Sequence, residues 1–261
     1  MTLFATARDG VRLAYEIVGD GPQTILLVHG FGSSRAQNWR DTSWYDTLTK
    51  AGLRVLAMDA RGHGESDKPH TPQGYRHDEM AGDLLAVLDA ADVESAHIMG
   101  YSMGGFIAIH LLIGHPERIG RLILGGVGET YLEPPDALRD RVADPRVRAE
   151  IVEALRTSDP SSITSATARA FRAFADQPGK DRLALAACMG APTVNLPRET
   201  LAKAQRPVLV VCGKKDDLTG APDGLARAFR QGKAVTVPNR DHMTVVGDKA
   251  YKDAVLQFLA S

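Results

Sequence analysis

The chain has 261 residues, with 31 lysines and arginines against 32 aspartates and glutamates. This length is enough for one large domain, and the balanced charge argues against a nucleic-acid surface or a polybasic membrane patch. No stretch is apolar enough to span a membrane and the N-terminus has no secretory pattern, so we expect a cytoplasmic protein without membrane partners. The two cysteines, Cys188 and Cys212, lack metal-ligand spacing and are interpreted as buried, reduced thiols.

Strand and helix patterns alternate along the first half of the chain. The dipeptide Asp9-Gly10 between two strand-like segments predicts a hairpin. The segments that follow are strand TILLVHG, helix DTSWYDTLTKAG, strand LRVLAMDA, amphipathic helix YRHDEMAGDLLAVLDAADV, strand SAHIMGYS, a helix after Ser102 and strand IGRLILGGVG.

The alternation stops in residues 129–205, where no strand pattern is found. Three helices are predicted there, DPRVRAEIVEALRTS, DPSSITSATARAFRAFA and KDRLALAACMG, the first two opening with Asp-Pro. We interpret this segment as a helical cap. Phe171 and Phe174 are expected either to face a pocket or to pack the cap on the sheet. The charged run RDRVADPRVRAE is interpreted as a solvated face.

The alternation then resumes with strand RPVLVVCG, a helix from Pro222 to Phe229, strand AVTVP and a closing helix over about 247–259. Continuous apolar strands between helices predict an α/β fold with a mostly parallel sheet covered on both faces. Residues 1–128 and 206–261 are predicted to form the core domain.

Ser102 lies at a sharp junction between a predicted strand and a predicted helix. The surrounding residues, Gly100-Tyr101-Ser102-Met103-Gly104, match the G-x-S-x-G nucleophile elbow, in which the glycines remove side chains where the backbone crowds. Such a turn lifts the serine hydroxyl to the carboxyl edge of the sheet. Ser102 is therefore predicted to be a nucleophile.

A serine hydroxyl needs a base to take its proton, and a carboxylate to orient that base. His242 follows the last predicted strand, and Asp216 and Asp217 follow the strand before it. The order Ser, Asp, His is the one this architecture requires. His242 is the predicted base, while either aspartate could be the acid.

Two backbone amides, those of Phe31 and Met103, are predicted to form an oxyanion hole, because HGFG follows the third strand. His29, in the same loop, is interpreted as a bracing residue behind that hole. His63, in DARGHGESD, is likewise interpreted as structural.

The sequence resembles the serine-dependent members of the α/β-hydrolase fold superfamily. The blocks HGFG, DARGHGESDKP, GYSMGG, GKKDD and RDH match it in order, whereas the cap carries no matching motif. The resemblance implies an eight-stranded sheet, a cap after the sixth strand and catalysis without metal or organic cofactor. It places the acid at Asp216. Serine at the elbow argues against the haloalkane dehalogenase and epoxide hydrolase branches.

The expected function is hydrolysis of a small to medium, largely apolar carboxylic ester through an acyl-enzyme, and the expected partner is therefore a small molecule. A C–C bond hydrolase, a lactonase or a perhydrolase is an alternative on the same fold. A small-molecule receptor with little turnover is an alternative of another class. The sequence does not determine the physiological substrate or the oligomeric state.

Overall fold

An eight-stranded sheet forms the centre of the protein in a computed structural model that describes residues 1–138 and 141–261. The strand order is β1-β2-β4-β3-β5-β6-β7-β8. The strands are β1 (Leu3–Thr6), β2 (Arg12–Val18), β3 (Gln23–Val28), β4 (Leu53–Met58), β5 (Ala96–Tyr101), β6 (Ile119–Gly125), β7 (Val208–Gly213) and β8 (Gly232–Val237).

The first two strands form the predicted antiparallel hairpin, and β2 also pairs antiparallel with β4. Every pairing from β4 to β8 is parallel. All residues of β7 are buried, as expected for a strand covered by helices on both faces. The predicted fold class is therefore confirmed.

Helices cover the two faces of the sheet, and two apolar clusters fill the space beneath them. Helices α2 and α3 lie on one face, and α1 and α9 lie on the other. The helices of the chain are α1 (Trp44–Lys50), α2 (His77–Ala90), α3 (Met103–Gly114), α4 (Pro145–Arg156), α5 (Ala166–Ala175), α6 (Arg182–Met189), α7 (Arg198–Leu201), α8 (Asp223–Ala226) and α9 (Lys249–Ala260). Among the described residues no helix is both long enough and apolar enough to cross a bilayer.

Helices α4 to α7 occupy the segment between β6 and β7 for which the sequence predicts a cap. Within this segment, α4, α5 and α6 share a small apolar core that includes Ile151, Leu155 and Leu185. Asp144 caps α4 as predicted, since its carboxylate accepts a hydrogen bond of 2.9 Å from the Arg146 amide.

Two predicted helices have different limits in the structure. Asp159-Pro160 starts only a short turn, and α5 begins at Ala166, where the Ser165 side chain caps the helix instead. The helix expected to run to Phe229 ends at Ala226, because the following amides bond three residues back in tighter turns.

The first prediction concerns Gly104, at the start of α3. A Cβ there would lie 2.2 Å from the Val28 carbonyl oxygen. Gly104→Ala should therefore lower the free energy of unfolding by about 1–3 kcal/mol. Gly82 is exposed within α2 with open space around it, so Gly82→Ala should raise stability by up to about 1 kcal/mol. Urea unfolding of both variants measures the effects, and equal stabilities would contradict the packing argument.

Candidate active site

Ser102 sits between the end of β5 and the start of α3 in a strained backbone conformation, with φ 50° and ψ −117°. Its amide donates to the Gly125 carbonyl at 2.8 Å, and its carbonyl accepts from the Gly105 amide at 2.8 Å. Such strain persists only where the surroundings fix the backbone, and here both sides of the residue are fixed.

The glycines of the elbow are required by close backbone contacts. A Cβ at Gly100 would lie 2.3 Å from the Gly104 carbonyl oxygen, and a Cβ at Gly104 would meet the Val28 and His29 oxygens at 2.2 and 2.7 Å. Helix α3 can therefore start directly against β3 and β5 only if both positions lack side chains.

Ser102, His242 and Asp216 form a continuous chain of hydrogen bonds. The Ser102 hydroxyl lies 3.1 Å from His242 Nε2, and His242 Nδ1 lies 2.8 Å from Asp216 Oδ2. In the tautomer that satisfies both contacts, Nδ1 donates to the carboxylate and Nε2 accepts from the hydroxyl. The imidazole is thus placed to take the serine proton.

Asp216 is held in its ionised form inside the protein. Burial raises the pKa of this carboxyl, but the hydrogen bond and charge of His242 and the amide of Thr219 outweigh that effect and lower the pKa overall. Oδ1 accepts from the amides of Leu218 and Thr219 at 3.2 and 3.0 Å. Asp217, the other predicted candidate, is exposed, and the structure brings only Asp216 to the histidine.

The loop that carries His242 is fixed by contacts that the sequence analysis did not find. The Tyr101 hydroxyl, beside the nucleophile, donates to the His242 carbonyl. The Asp241 carboxylate accepts from the amides of Met243 and Thr244 at 3.0 and 2.9 Å, which closes the turn. An Asp before a turn with Thr three residues later is the sequence signal that could have predicted this closure.

The amides predicted to form the oxyanion hole, those of Phe31 and Met103, both belong to residues that line the cavity above Ser102. Neither amide donates to a protein acceptor in the part of the chain that the structure describes. The Phe31 loop is anchored by the Gly30 amide, which donates to Asn38 Oδ1 at 3.1 Å. Both amides are therefore free for an oxygen of a bound molecule.

His29 and His63 lie behind this loop and are both buried. His29 Nδ1 donates to the Gly30 carbonyl at 2.8 Å and Nε2 accepts from the Ala60 amide at 3.0 Å, so the ring joins two loops. Burial lowers the pKa of His29 to about 4 and that of His63 to about 3. Both rings are therefore uncharged at neutral pH and brace the site.

A cavity of about 1240 Å³ opens above Ser102 between the sheet and the segment that contains α4 to α6. Most of its lining is apolar, and Phe171 and Phe174 both contribute to it. The Phe171 ring also contacts the Phe31 ring at 5.9 Å between centroids. Phe171 and Phe174 thus both face the cavity, and the Phe171 ring also packs on the loop that carries Phe31.

The charged run before and within α4 is not uniformly solvated, contrary to the sequence interpretation. Arg148 lines the cavity, and burial lowers the pKa of its guanidinium. Its position three residues before the buried Ile151 places it on the inward side of α4, a spacing that could have predicted this. Arg139 and Asp140, which start the run, lie outside the described residues.

Comparison with known proteins identifies the family. The model of the alpha/beta hydrolase fold matches residues 23–155, which is just over half of the chain. The chain belongs to the α/β-hydrolase fold family. A second model, described as TAP-like protein, matches residues 178–261 of this α/β-hydrolase. No group of three or more His, Cys, Asp or Glu side chains in the described residues is arranged to hold a metal ion.

Two curated relatives illustrate what this α/β-hydrolase is similar to. It is 32% identical over 88% of its length to the dihydrolipoyllysine-residue acetyltransferase component of an acetoin cleaving system of Pseudomonas putida, covering 61% of that protein. It is 38% identical over 46% of its length to a 2-hydroxy-6-oxononadienedioate/2-hydroxy-6-oxononatrienedioate hydrolase of Paraburkholderia xenovorans, covering 42% of that protein. The chain thus spans less than two thirds of either curated relative.

A solved structure, that of a hydrolase from Pseudomonas aeruginosa, matches the whole chain with a TM-score of 0.75 and 28% identity, and 98% of that protein is covered. This α/β-hydrolase therefore shares its overall arrangement of strands and helices with a protein to which it is only 28% identical.

The second prediction separates the two neighbouring aspartates. Asp216→Asn keeps the shape of the side chain but removes the charge that holds His242 in its tautomer, so turnover should fall by roughly two to four orders of magnitude. Asp217→Asn, at the exposed neighbour, should change turnover by less than about threefold. Steady-state rates of the two purified variants check this, and a larger loss at Asp217 would overturn the assignment.

Proposed function

We propose that this protein is a serine hydrolase that cleaves a carboxylic ester of a small to medium, largely apolar substrate. The observation that carries the proposal is the hydrogen-bond chain from Asp216 through His242 to Ser102 at the base of a mostly apolar cavity. A nucleophile, a base and an orienting carboxylate in this order are what acyl transfer requires.

The first half of the proposed reaction forms an acyl-enzyme. His242 takes the proton of Ser102 while the serine oxygen attacks the ester carbonyl carbon. The amides of Phe31 and Met103 donate to the oxygen on which negative charge develops. His242 then gives its proton to the leaving alcohol as the carbon–oxygen bond breaks, and the acyl group remains on the serine.

Water completes the proposed reaction. His242 takes a proton from a water molecule, whose oxygen attacks the acyl carbon, and the proton then passes to Ser102 as the ester to the enzyme breaks. The products are a carboxylic acid and a regenerated serine. The strained backbone at Ser102 supports this role, because it presents the hydroxyl to the cavity.

The same groups could act on other substrates that carry a reactive carbonyl. A C–C bond hydrolase, a lactonase or a perhydrolase would use the same nucleophile and base. A relative that matches under half of this chain is named as a hydrolase of 2-hydroxy-6-oxononadienedioate and 2-hydroxy-6-oxononatrienedioate. The size of the cavity is compatible with each of these classes. Ester hydrolysis remains our proposal because the mostly apolar lining of the cavity suits a largely apolar ester.

The third prediction tests the nucleophile. Ser102→Ala should fold normally and lose about a thousandfold or more of its ester turnover, because the triad acts as one unit. Wild-type protein should be labelled stoichiometrically at Ser102 by a fluorophosphonate probe, and the variant should not be labelled. A folded Ser102→Ala variant that keeps more than about a tenth of the wild-type rate would contradict the proposal.

A panel of p-nitrophenyl esters, lactones and vinylogous diketones then separates the reaction classes. Rapid turnover of simple esters supports the proposal, and turnover confined to lactones or diketones overturns it in favour of that class. Stoichiometric labelling without turnover of any panel member would instead favour a small-molecule receptor.

The fourth prediction concerns the cap. Phe174 lines the cavity beside Gly32, where a Cβ would lie 2.4 Å from its ring, and it lies outside the apolar core of the cap. Phe174→Ala should therefore shift the preference between short and long acyl chains by about threefold to tenfold, with little loss of melting temperature. Leu183→Ala, an exposed cap residue outside the cavity, is the matched control.

The kcat/KM values across a series of p-nitrophenyl esters measure this preference. Equal losses for every chain length, together with a lower melting temperature, would show that the Phe174 ring packs the cap and does not select the substrate.

A further inference from the structure

Arg148 is a half-buried cation at the wall of the cavity, and its charge has no acidic partner among the described residues. Its Nη2 donates to the carbonyls of Met189 and Ala191 at 2.5 and 3.4 Å, at the end of α6. No carboxylate of the described residues lies within ion-pair distance of the guanidinium, although Arg35, Arg61 and Arg172 each have one. A guanidinium removed from water without a counter-charge is costly, which its lowered pKa reflects.

The two carbonyl contacts fix the direction of the Arg148 side chain and leave donors unused. Because Nη2 makes both contacts, Nε and Nη1 have no protein acceptor among the described residues. A guanidinium presents its donors as a planar fork that matches the two oxygens of a carboxylate. Arg148 is thus oriented and still able to bind an anion.

His77, at the first turn of α2, lines the same cavity and also lacks a partner. Its Nδ1 is buried and makes no hydrogen bond in the described part of the protein. Burial, with the neighbouring charges of His110 and Arg148, lowers the pKa of His77 to about 3, so the ring is neutral at physiological pH. A neutral imidazole supplies one N–H donor without a second charge.

The contacts of His77 with two residues of α3 relate its position to that of Ser102. The His77 ring contacts the rings of Phe106 and His110, each at 5.7 Å between centroids. These residues lie four and eight positions beyond Ser102, or about 6 and 12 Å along the helix axis. His77 therefore lies several bond lengths from the atom that Ser102 attacks, in the cavity that Arg148 also lines. Arg148 is close enough to His77 for its charge to lower the pKa of that ring.

Two acidic side chains, Glu133 and Glu199, and a second cation, Arg198, also line the cavity, and none of them forms an ion pair with Arg148 among the described residues. Glu133 Oε2 lies 3.7 Å from Arg141 Nη1, so part of the Glu133 charge is compensated by Arg141 and not by Arg148. The Arg148 guanidinium and the neutral His77 ring together carry a single positive charge. This matches a carboxylate, whereas a phosphate monoester would bring about two negative charges.

We propose that Arg148 and His77 form a carboxylate-binding subsite, and that the substrate is a monoanion whose carboxylate is separated by several bonds from the carbonyl that Ser102 attacks. The proposal rests on the proposed function for the reaction, but the subsite itself is open to a binding measurement. With such a subsite, the preferred ester is a half-ester of a dicarboxylic acid.

The fifth prediction compares methyl hydrogen adipate with methyl hexanoate, which match in chain length and differ in the distal carboxylate. Wild-type kcat/KM should favour the half-ester by about tenfold or more. Arg148→Met should lose about 10- to 100-fold on the half-ester, mainly through KM, and less than about threefold on methyl hexanoate. Arg148→Lys should recover part of the loss, because it keeps the charge without the fork.

Arg156→Met is the matched control, since Arg156 is exposed at the end of the same helix and lies outside the cavity. It should leave both rates unchanged. A wild-type preference for methyl hexanoate would overturn the subsite, and so would an equal loss on both esters in Arg148→Met. The wild-type comparison decides the matter even if Arg148→Met does not fold.

Calorimetry with Ser102→Ala distinguishes the subsite from the proposed reaction. Tighter binding of methyl hydrogen adipate than of methyl hexanoate, by about tenfold, supports the subsite independently of turnover. If this difference is present while wild-type protein hydrolyses neither ester, the ester reaction is wrong and the subsite stands. Equal binding of the two esters overturns the subsite whatever the rates are.

Discussion

The candidate site depends on how closely α3 approaches β3 and β5. A Cβ at Gly104 would lie 2.2 Å from the Val28 carbonyl oxygen, so the helix can start there only because the residue has no side chain. Since Val28 pairs with Gly100 in the sheet, the residues just beyond these two positions also become neighbours. They carry the Phe31 amide on one side and Ser102 with the Met103 amide on the other. Backbone packing thus sets Ser102 and the two amides side by side.

The histidine and the acid come from farther along the sheet, and the end of β6 leaves room for them. A Cβ at Gly126 would lie 3.0 Å from the His242 ring, and one at Gly125 would lie 2.1 Å from the Tyr251 hydroxyl. Because β6 lies between β5 and β7, His242 must reach across its end to meet Ser102. The missing side chain at Gly126 permits that crossing, and the Tyr101 hydroxyl then holds the His242 carbonyl.

The charged side chains in the two parts of the cavity differ in whether the protein supplies their partners. At the sheet edge, the Asp216 carboxylate is surrounded by His242 and two amides, so its charge is satisfied within the protein. On the side formed by α4, the guanidinium of Arg148 donates only to two carbonyls within the described part of the chain. The core therefore supplies the proposed reaction centre, while the segment between β6 and β7 supplies a cation whose charge is not compensated among the described residues. A substrate that bridges both would complete it, which links specificity to that segment.

The sequence by itself determined the alternation of strands and helices, the elbow at Ser102 and the N-cap of α4 at Asp144. These features follow from short-range periodicity and turn chemistry. It left Asp216 and Asp217 open from the residues alone, and it placed the start of α5 at Asp159 instead of Ala166, since either serine or aspartate can cap a helix. Tertiary structure decided which aspartate meets His242, 26 residues away, and brought Ser102 to the same ring across 140 residues. It also turned Arg148 inward. Such contacts depend on which strands are neighbours and which helix faces the sheet, and no local pattern contains that information.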